Sequence, residues 1–220
     1  IYCECGLNEN HRTRSKLPTR AEVKEALIHK LSSMQAEGVA PDVITFAGNG
    51  EPTMHPEFAD IIDDTIETRN RFFPKAKIAV LSNSTMLYKE DVFQALNKIE
   101  DNILKLDSIS DSRIGQLNVP NSPAFTFDRL LEQLCRFNGN LIIQTMFLKG
   151  EVNGESVTNT TEHEISGWLE ALKQIKPKQV MIYTIDRETP VKNLKKVTKD
   201  ELEAIADRAR QEGFEVMVSA

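Results

Sequence analysis

Apolar positions along this chain fall into two rhythms that take turns. Val23, Ala26, Leu27, Leu31 and Met34 recur at helical spacing, opened by Thr19 with Glu22 three residues on, a capping box. Gly38 and Pro41 end that helix. A short apolar run, Val43 to Ala47, then reads as a strand. Phe58, Ile61, Ile62 and Ile66 return to helical spacing, and Pro74 leads into a strand at Lys77 to Leu81. The alternation continues. A helix near Lys89 to Lys98 turns Val92, Phe93 and Leu96 inward, and a strand at Asn102 to Leu106 delivers Asp107 at its end. A helix covers about Thr126 to Phe137, and the strand Leu141 to Leu148 is the most apolar, with Gln144 in its middle. Capping boxes at Thr161/Glu164 and Thr198/Glu201 open the last two helices, which frame strands at Gln179 to Ile185 and Phe214 to Val218.

Near-continuous apolar strands alternating with helices predict a parallel sheet covered by helices, with right-handed crossovers. The six units fit an α/β fold of the partial (β/α)6 TIM-type barrel kind, one domain over residues 1–220. Residues 1–18 read as a loop and 19–220 as the alternating part. Such a fold begins with a strand, whereas this sequence opens in a loop before a helix, so the first strand is expected upstream of Ile1. No Gly-x-Gly-x-x-Gly opens a helix, which argues against a dinucleotide fold. The connections Ser108 to Ala124, Lys149 to Thr160 and Asp186 to Val197 read as long polar loops at the C-terminal ends of strands, where barrels keep their chemistry. The predicted wall of that mouth is Glu51, Ser82, Asn83, Asp107, Gln144 and Tyr183.

Composition narrows the classes. A net charge of −6 argues against a broad nucleic-acid surface. No apolar run approaches the roughly 20 residues that span a bilayer. Three cysteines at irregular spacing are too few for a disulfide framework and point to a reducing cytoplasm. Cys135 and Trp168 read as core, and His55 and His163 as structural or exposed. Two basic stretches lie on predicted mouth loops: His11, Arg12, Arg14, Lys16 and Arg20, then Arg187, Lys192, Lys195 and Lys196. They read either as solvated charge runs or as a locally positive mouth that selects an anionic substrate or an acidic partner segment.

The stretch Val43 to Thr53 concentrates candidate chemistry. A strand runs into Gly48-Asn49-Gly50, then Glu51 and Pro52. The glycines permit positive φ or close approach to a ligand, and Pro52 stiffens the turn. A carboxylate is thereby presented at a strand's C-terminal end, although an ordinary solvated βα turn has the same letters. Cys3-Glu4-Cys5 has one residue between its thiols, too close a spacing for a usual metal clip.

Tyr2-Cys3 followed by Phe46-Ala47-Gly48-Asn49-Gly50-Glu51-Pro52-Thr53 resembles the radical S-adenosylmethionine (SAM) superfamily. That family carries Cys-x3-Cys-x2-Cys after the first strand, with an aromatic residue before the third cysteine, and Gly-Gly-Glu-Pro at the end of the second strand. The resemblance implies that Cys3 is the last ligand of a 4Fe–4S cluster and that the other two cysteines lie upstream; Cys5 falls outside the motif. It implies that Gly48, Asn49, Gly50, Glu51 and Pro52 hold the SAM amino group, Asn49 standing where the family has glycine. Ser82 and Asn83 would approach the SAM carboxylate or ribose, and Asp107 and Gln144 would face SAM or substrate. The implied activity is reductive cleavage of SAM to a 5′-deoxyadenosyl radical that abstracts hydrogen from a substrate, with flavodoxin or ferredoxin as electron donor. This chain alone is expected to be inactive. Two other readings stay open: a cluster-free lyase or aldolase with Glu51 or Asp107 as base and Lys105 its only tempting lysine, and a module that holds SAM or a cluster without turnover.

Overall fold

A computed structural model describes residues 1–2, 17–47, 50–120 and 122–220. The elements follow in the order α1 (Arg20–Ala36), β1 (Val43–Phe46), a 3-10 turn (Pro52–Met54), α2 (Phe58–Phe72), β2 (Lys77–Ser82), α3 (Glu90–Asn97), β3 (Asp101–Lys105), α4 (Asp111–Asn118), α5 (Phe127–Cys135), β4 (Ile142–Met146), β5 (Leu148–Val152), β6 (Glu155–Ser156), α6 (Glu162–Ile175), β7 (Gln179–Tyr183), β8 (Leu194–Lys196), α7 (Lys199–Gln211) and β9 (Val216–Ser219). Six strands form one sheet in the order β1-β2-β3-β4-β7-β9. The fold is therefore the α/β sheet that the alternation predicts, with β1 and β9 as its edges among the described residues. The chain divides into two compact units, and the division falls within β3.

One unit comprises residues 17–82 and Met86–Ile103. β1 and β2 run parallel, with Val43 opposite Lys77 and Phe46 opposite Val80. Ile78 and Val80 are fully buried on β2, and α2 buries Phe58, Ile61 and Ile62 on one stripe. Each such side chain contributes about 1.5–3 kcal/mol by leaving water. α1 is different. Of its predicted stripe only Leu31 is buried, and its hold on α2 is largely ionic. Arg20 donates to both Asp64 oxygens at 2.6 and 3.0 Å, and Lys24 reaches Asp64 at 3.0 Å and Glu67 at 2.9 Å. The bidentate Arg20 contact holds the Asp64 carboxyl down at about 2.

The other unit comprises Leu104–Ala220 with Asn83–Thr85 and the first two residues. β4, β7 and β9 are parallel, pairing Gln144 with Met181 and Met181 with Met217. α6 covers the opposite face through Trp168, whose indole donates to Thr145 Oγ1 at 2.9 Å and stands edge-on to Phe147 at 5.4 Å. Trp168 is core, as its place on the apolar stripe predicts. Cys135 is half-buried at the end of α5.

The three long polar loops are where the sequence reading needs correction. Ser108 to Ala124 contains α4, and Lys149 to Thr160 contains the β5–β6 hairpin. The third contributes β8, which pairs antiparallel with β5. The hairpin signal was present: Asn153-Gly154 takes φ of 52° and 81°, the positive pair that a tight hairpin turn demands. The predicted capping box at Thr161 is also half-made. Thr161 Oγ1 accepts from Glu164 N, but the Glu164 carboxylate instead accepts from Ser108 Oγ at 2.8 Å and Ile109 N at 3.1 Å. The boxes at Thr19 and Thr198 are complete.

Asp64→Asn should lower stability at neutral pH by about 1–2 kcal/mol, since it removes charged hydrogen bonds whose cations are partly exposed. Asp64 has a depressed folded pKa, so its contribution is complete above about 4, the unfolded value, and disappears as pH falls through about 2. Thermal melts of both proteins from pH 7 downward should therefore converge at the acid end; a difference that persists unchanged at pH 2 would contradict the assignment.

Candidate active site

The turn after β1 comes first. Gly48 and Asn49 lie outside the described residues. Gly50 has φ of 142°, a conformation that favours glycine. Glu51 follows in extended geometry and caps the 3-10 turn that Pro52 opens. Its Oε1 accepts from Thr53 N at 3.1 Å and from Thr53 Oγ1 at 2.5 Å, and Thr53 is itself 1% exposed. The carboxylate is thus pinned to buried structure while the residue remains half-exposed. His55 is structural: its ring bridges Pro18 O at 2.8 Å and Glu57 N at 3.1 Å. Ser82, which closes β2, is buried.

In the other unit, Asn83 is exposed and its Oδ1 accepts from Thr85 N at 3.0 Å and Thr85 Oγ1 at 2.6 Å, an Asx turn. Ser84 sits in the left-handed region with φ of 67°, and its hydroxyl donates to Lys105 O at 3.0 Å.

Asp107, immediately beyond β3, is the most heavily bonded acid in the site. Oδ1 accepts from Met146 N at 2.9 Å and pairs with Lys105 Nζ at 3.0 Å. Oδ2 accepts from Tyr2 OH at 2.9 Å and Asn118 Nδ2 at 2.8 Å. Its side chain is 0% exposed, and that of Lys105 is 11% exposed. Lys105 also donates to Tyr183 OH at 2.7 Å and lies 5.0 Å from the Tyr2 ring and 4.8 Å from the Tyr183 ring. Burial alone would lower the Lys105 pKa. Asp107 and the two phenols outweigh it and hold the ammonium well above its ordinary value. Burial, reinforced by the Asp107 charge, pushes the Tyr2 phenol up as well, so Tyr2 stays a donor.

Sequence reasoning placed Asp107 at a strand end, where it is, but named neither of its cross-chain partners Tyr2 and Asn118 as a site residue. Asn159 was missed altogether. It is 1% exposed, donates to Asp107 O at 2.8 Å and Met146 O at 2.7 Å, and accepts from Leu148 N at 2.8 Å. One side chain thereby ties the ends of β3 and β4 to the start of β5. Nothing local in its sequence marks it, because its partners are 11 to 52 residues away. Gln144 lies half-buried on the face of β4 opposite Thr145, opposite Met181 across the pair.

Cys3 and Cys5 lie outside the described residues, as do His11, Arg12, Arg14 and Lys16. Of the second basic stretch, Lys196 pairs with Asp186 at 3.1 Å. Among the described residues no group of His, Cys, Asp or Glu could hold a metal ion, and no helix is long and apolar enough to cross a membrane.

The comparisons with known proteins bear on the fold. The chain has the fold of the solved structure of SuiB from Streptococcus suis bound to S-adenosylmethionine, at a TM-score of 0.66 and 15% identity over 96% of this chain and 45% of that one. It also matches coproporphyrinogen III oxidase from Escherichia coli, described as a radical SAM enzyme, at a TM-score of 0.54 and 11% identity over 88% of this chain and 45% of that one. The solved structures it resembles are radical SAM enzymes, and at these identities the likeness is one of fold. In sequence, the chain is 29% identical over 210 residues to a UPF0026 protein of Helicobacter pylori, covering 92% of this chain and 61% of that protein. It therefore spans less than two thirds of the length of that relative. No family model matches.

Asp107→Ala should destabilise the protein by about 3–5 kcal/mol, because Lys105 is left buried without its counter-charge. Lys105→Met should cost clearly less, since Asp107 keeps three donors in Met146 N, Tyr2 OH and Asn118 Nδ2. Urea unfolding of the two variants measures the ranking, and equal losses would refute the asymmetry.

Proposed function

We propose that this chain is the greater part of the catalytic domain of a radical SAM enzyme, with Cys3 one thiolate ligand of a 4Fe–4S cluster and the Gly48-to-Pro52 turn the seat of the SAM amino group. The observation that carries the reading is the Glu51 carboxylate, fixed by Thr53 at the C-terminal end of β1 in a fold shared with radical SAM enzymes. An ammonium needs ionised or carbonyl acceptors held in place, and a carboxylate oriented by a buried threonine satisfies that need at little entropic cost. Ser82 and Asn83, at the end of β2, are the proposed approach to the SAM carboxylate or ribose. Asp107 and Gln144 are proposed to face SAM or substrate. For Asp107 the role would be indirect, through Tyr2 and Lys105, since both of its oxygens already accept two donors each.

Cys135 does not fit the cluster. Burial pushes its thiol up, away from the thiolate form a cluster requires. The remaining thiolates would come from cysteines upstream of Ile1. Cluster and SAM together would supply one-electron cleavage of SAM and hydrogen abstraction from a substrate. This chain's own part is to bind, orient and exclude water. An electron donor such as flavodoxin or ferredoxin, and a substrate drawn to the basic mouth loops, complete the proposal. The lyase or aldolase reading gains no support from Lys105, which is held as a cation and so is a poor Schiff-base nucleophile, or from Asp107, which is sealed from solvent.

The full-length protein, purified without oxygen, should carry about four irons per chain and yield 5′-deoxyadenosine from SAM under dithionite. Glu51→Gln, which keeps a side-chain oxygen to accept from Thr53, should weaken SAM binding at least about tenfold by calorimetry, the loss expected for one charged contact, with a nearly unchanged melting temperature. Absence of two further cysteines in the residues just before Ile1, or iron-free protein after reconstitution, would refute the reading.

A further inference from the structure

A row of side chains crosses the sheet from β3 to β9 on the face turned away from α6, and it holds donors that no described residue accepts. β3 and β4 are neighbours, and Leu106 N donates to Gln144 O at 3.1 Å, which sets Lys105 beside Gln144. Gln144 lies opposite Met181, and Met181 opposite Met217. Tyr183 stands two residues beyond Met181 and so shares its face. An ammonium has three N–H donors. Lys105 gives one to Asp107 Oδ1 at 3.0 Å and one to Tyr183 OH at 2.7 Å, and the third has no acceptor among the described residues. The Tyr183 hydroxyl accepts from Lys105, and its own proton has no acceptor among them either. Gln144 sits half-buried in the middle of the most apolar strand, yet its amide makes no side-chain hydrogen bond among the described residues. Polar groups withdrawn from water without partners cost stability unless a ligand or solvent accepts from them. These three gather around one cation, and Asp107 already takes part of its charge. Such a site suits a monoanion better than a phosphate, which carries close to two charges. Beyond the donors the row turns apolar: Met181 is half-buried and Met217 is 51% exposed. Thioethers adapt to ligands of irregular shape.

We propose that Lys105, Tyr183 and Gln144 form a carboxylate-binding site on this face, with Met181 and Met217 the platform for the apolar part of the same ligand. The carboxylate oxygens accept from the third Lys105 proton, the Tyr183 hydroxyl and the Gln144 amide, all donors and one of them charged. Asp107 holds the ammonium in place and as a cation, so the site is set before the ligand arrives. Calling that ligand the substrate rests on the radical SAM reading; the donor set itself does not.

The test uses full-length protein carrying 13C-methyl methionine, with the Met181 and Met217 signals assigned by Met181→Leu and Met217→Leu. The probes are octanoate, octanamide and octylamine. β4 and β9 lie two strand spacings apart, roughly 10 Å, so an eight-carbon chain with its head at Gln144 reaches Met217. Octanoate should shift both methyl signals saturably, with Kd on the order of 1 mM, and the amide and the amine should bind at least about tenfold more weakly, the loss of one charged contact. Tyr183→Phe, which keeps the ring on Lys105, should weaken octanoate about threefold or more, the loss of one neutral hydrogen bond. Gln144→Glu, isosteric but repelling, should abolish the shifts at an unchanged melting temperature. Octylamine as good as octanoate would reduce the site to apolar contact and overturn it. Octanamide as good as octanoate would overturn the carboxylate assignment. Displacement of octanoate by SAM would also overturn it, by giving the donors to SAM itself. Absence of any shift would overturn the site and leave the proposed function standing, since iron content and 5′-deoxyadenosine do not enter this titration. Octanoate binding by a protein that takes up no iron would support the carboxylate site and overturn only its description as the substrate's.

Discussion

Much of the site-bearing unit depends on one carboxylate that water cannot reach. Asp107 gathers a backbone amide, a phenol, an amide side chain and an ammonium around two oxygens. Each donor arrives from a different part of the chain, and removing the acid would take an acceptor from all four at once, leaving Lys105 with Tyr183 OH and Asn118 with Tyr2 OH. The end of β3 is thereby a junction between the sheet, the start of the chain, α4 and β7. Asn159 extends it, using the main-chain oxygen of the same aspartate. Polar groups that meet only when every element is in register define a single arrangement, whereas the apolar faces around them would accept several.

The turn that the proposed function needs is built in a different chemical style. Glu51 has a local partner two residues away and depends on backbone geometry that glycine and proline impose. Asp107 depends on partners up to 105 residues distant. The first kind of feature is written in consecutive letters and the second is not.

That contrast explains what the sequence disclosed. The alternation of helix and strand was legible because burial on two faces leaves a continuous apolar run in each of the central strands. Complete capping boxes at Thr19 and Thr198 were legible because their bonds close over three residues. The long polar loops misled, since α4 carries few apolar positions, Ile114 and Leu117 being the buried ones, and since β5 and β8 pair across more than 40 residues. The Asn153-Gly154 turn was readable and was passed over. Asp107 could be placed by its position after a strand, but its companions could not, for no local pattern couples Tyr2 to Asn118. Lys105 drew notice as a lone lysine on a strand; only its surroundings disclose a fixed cation.

Glu164 shows how such bonds constrain change. By turning away from its own helix cap to hold Ser108 and Ile109, it makes the start of α6 part of the loop that follows β3. Lengthening that loop would take both donors from a buried acid more than 50 residues away. Two segments that a linear alignment treats as separate regions would therefore have to vary together. An exchange of the β3–α4 connection between relatives would succeed only if residue 164 travelled with it.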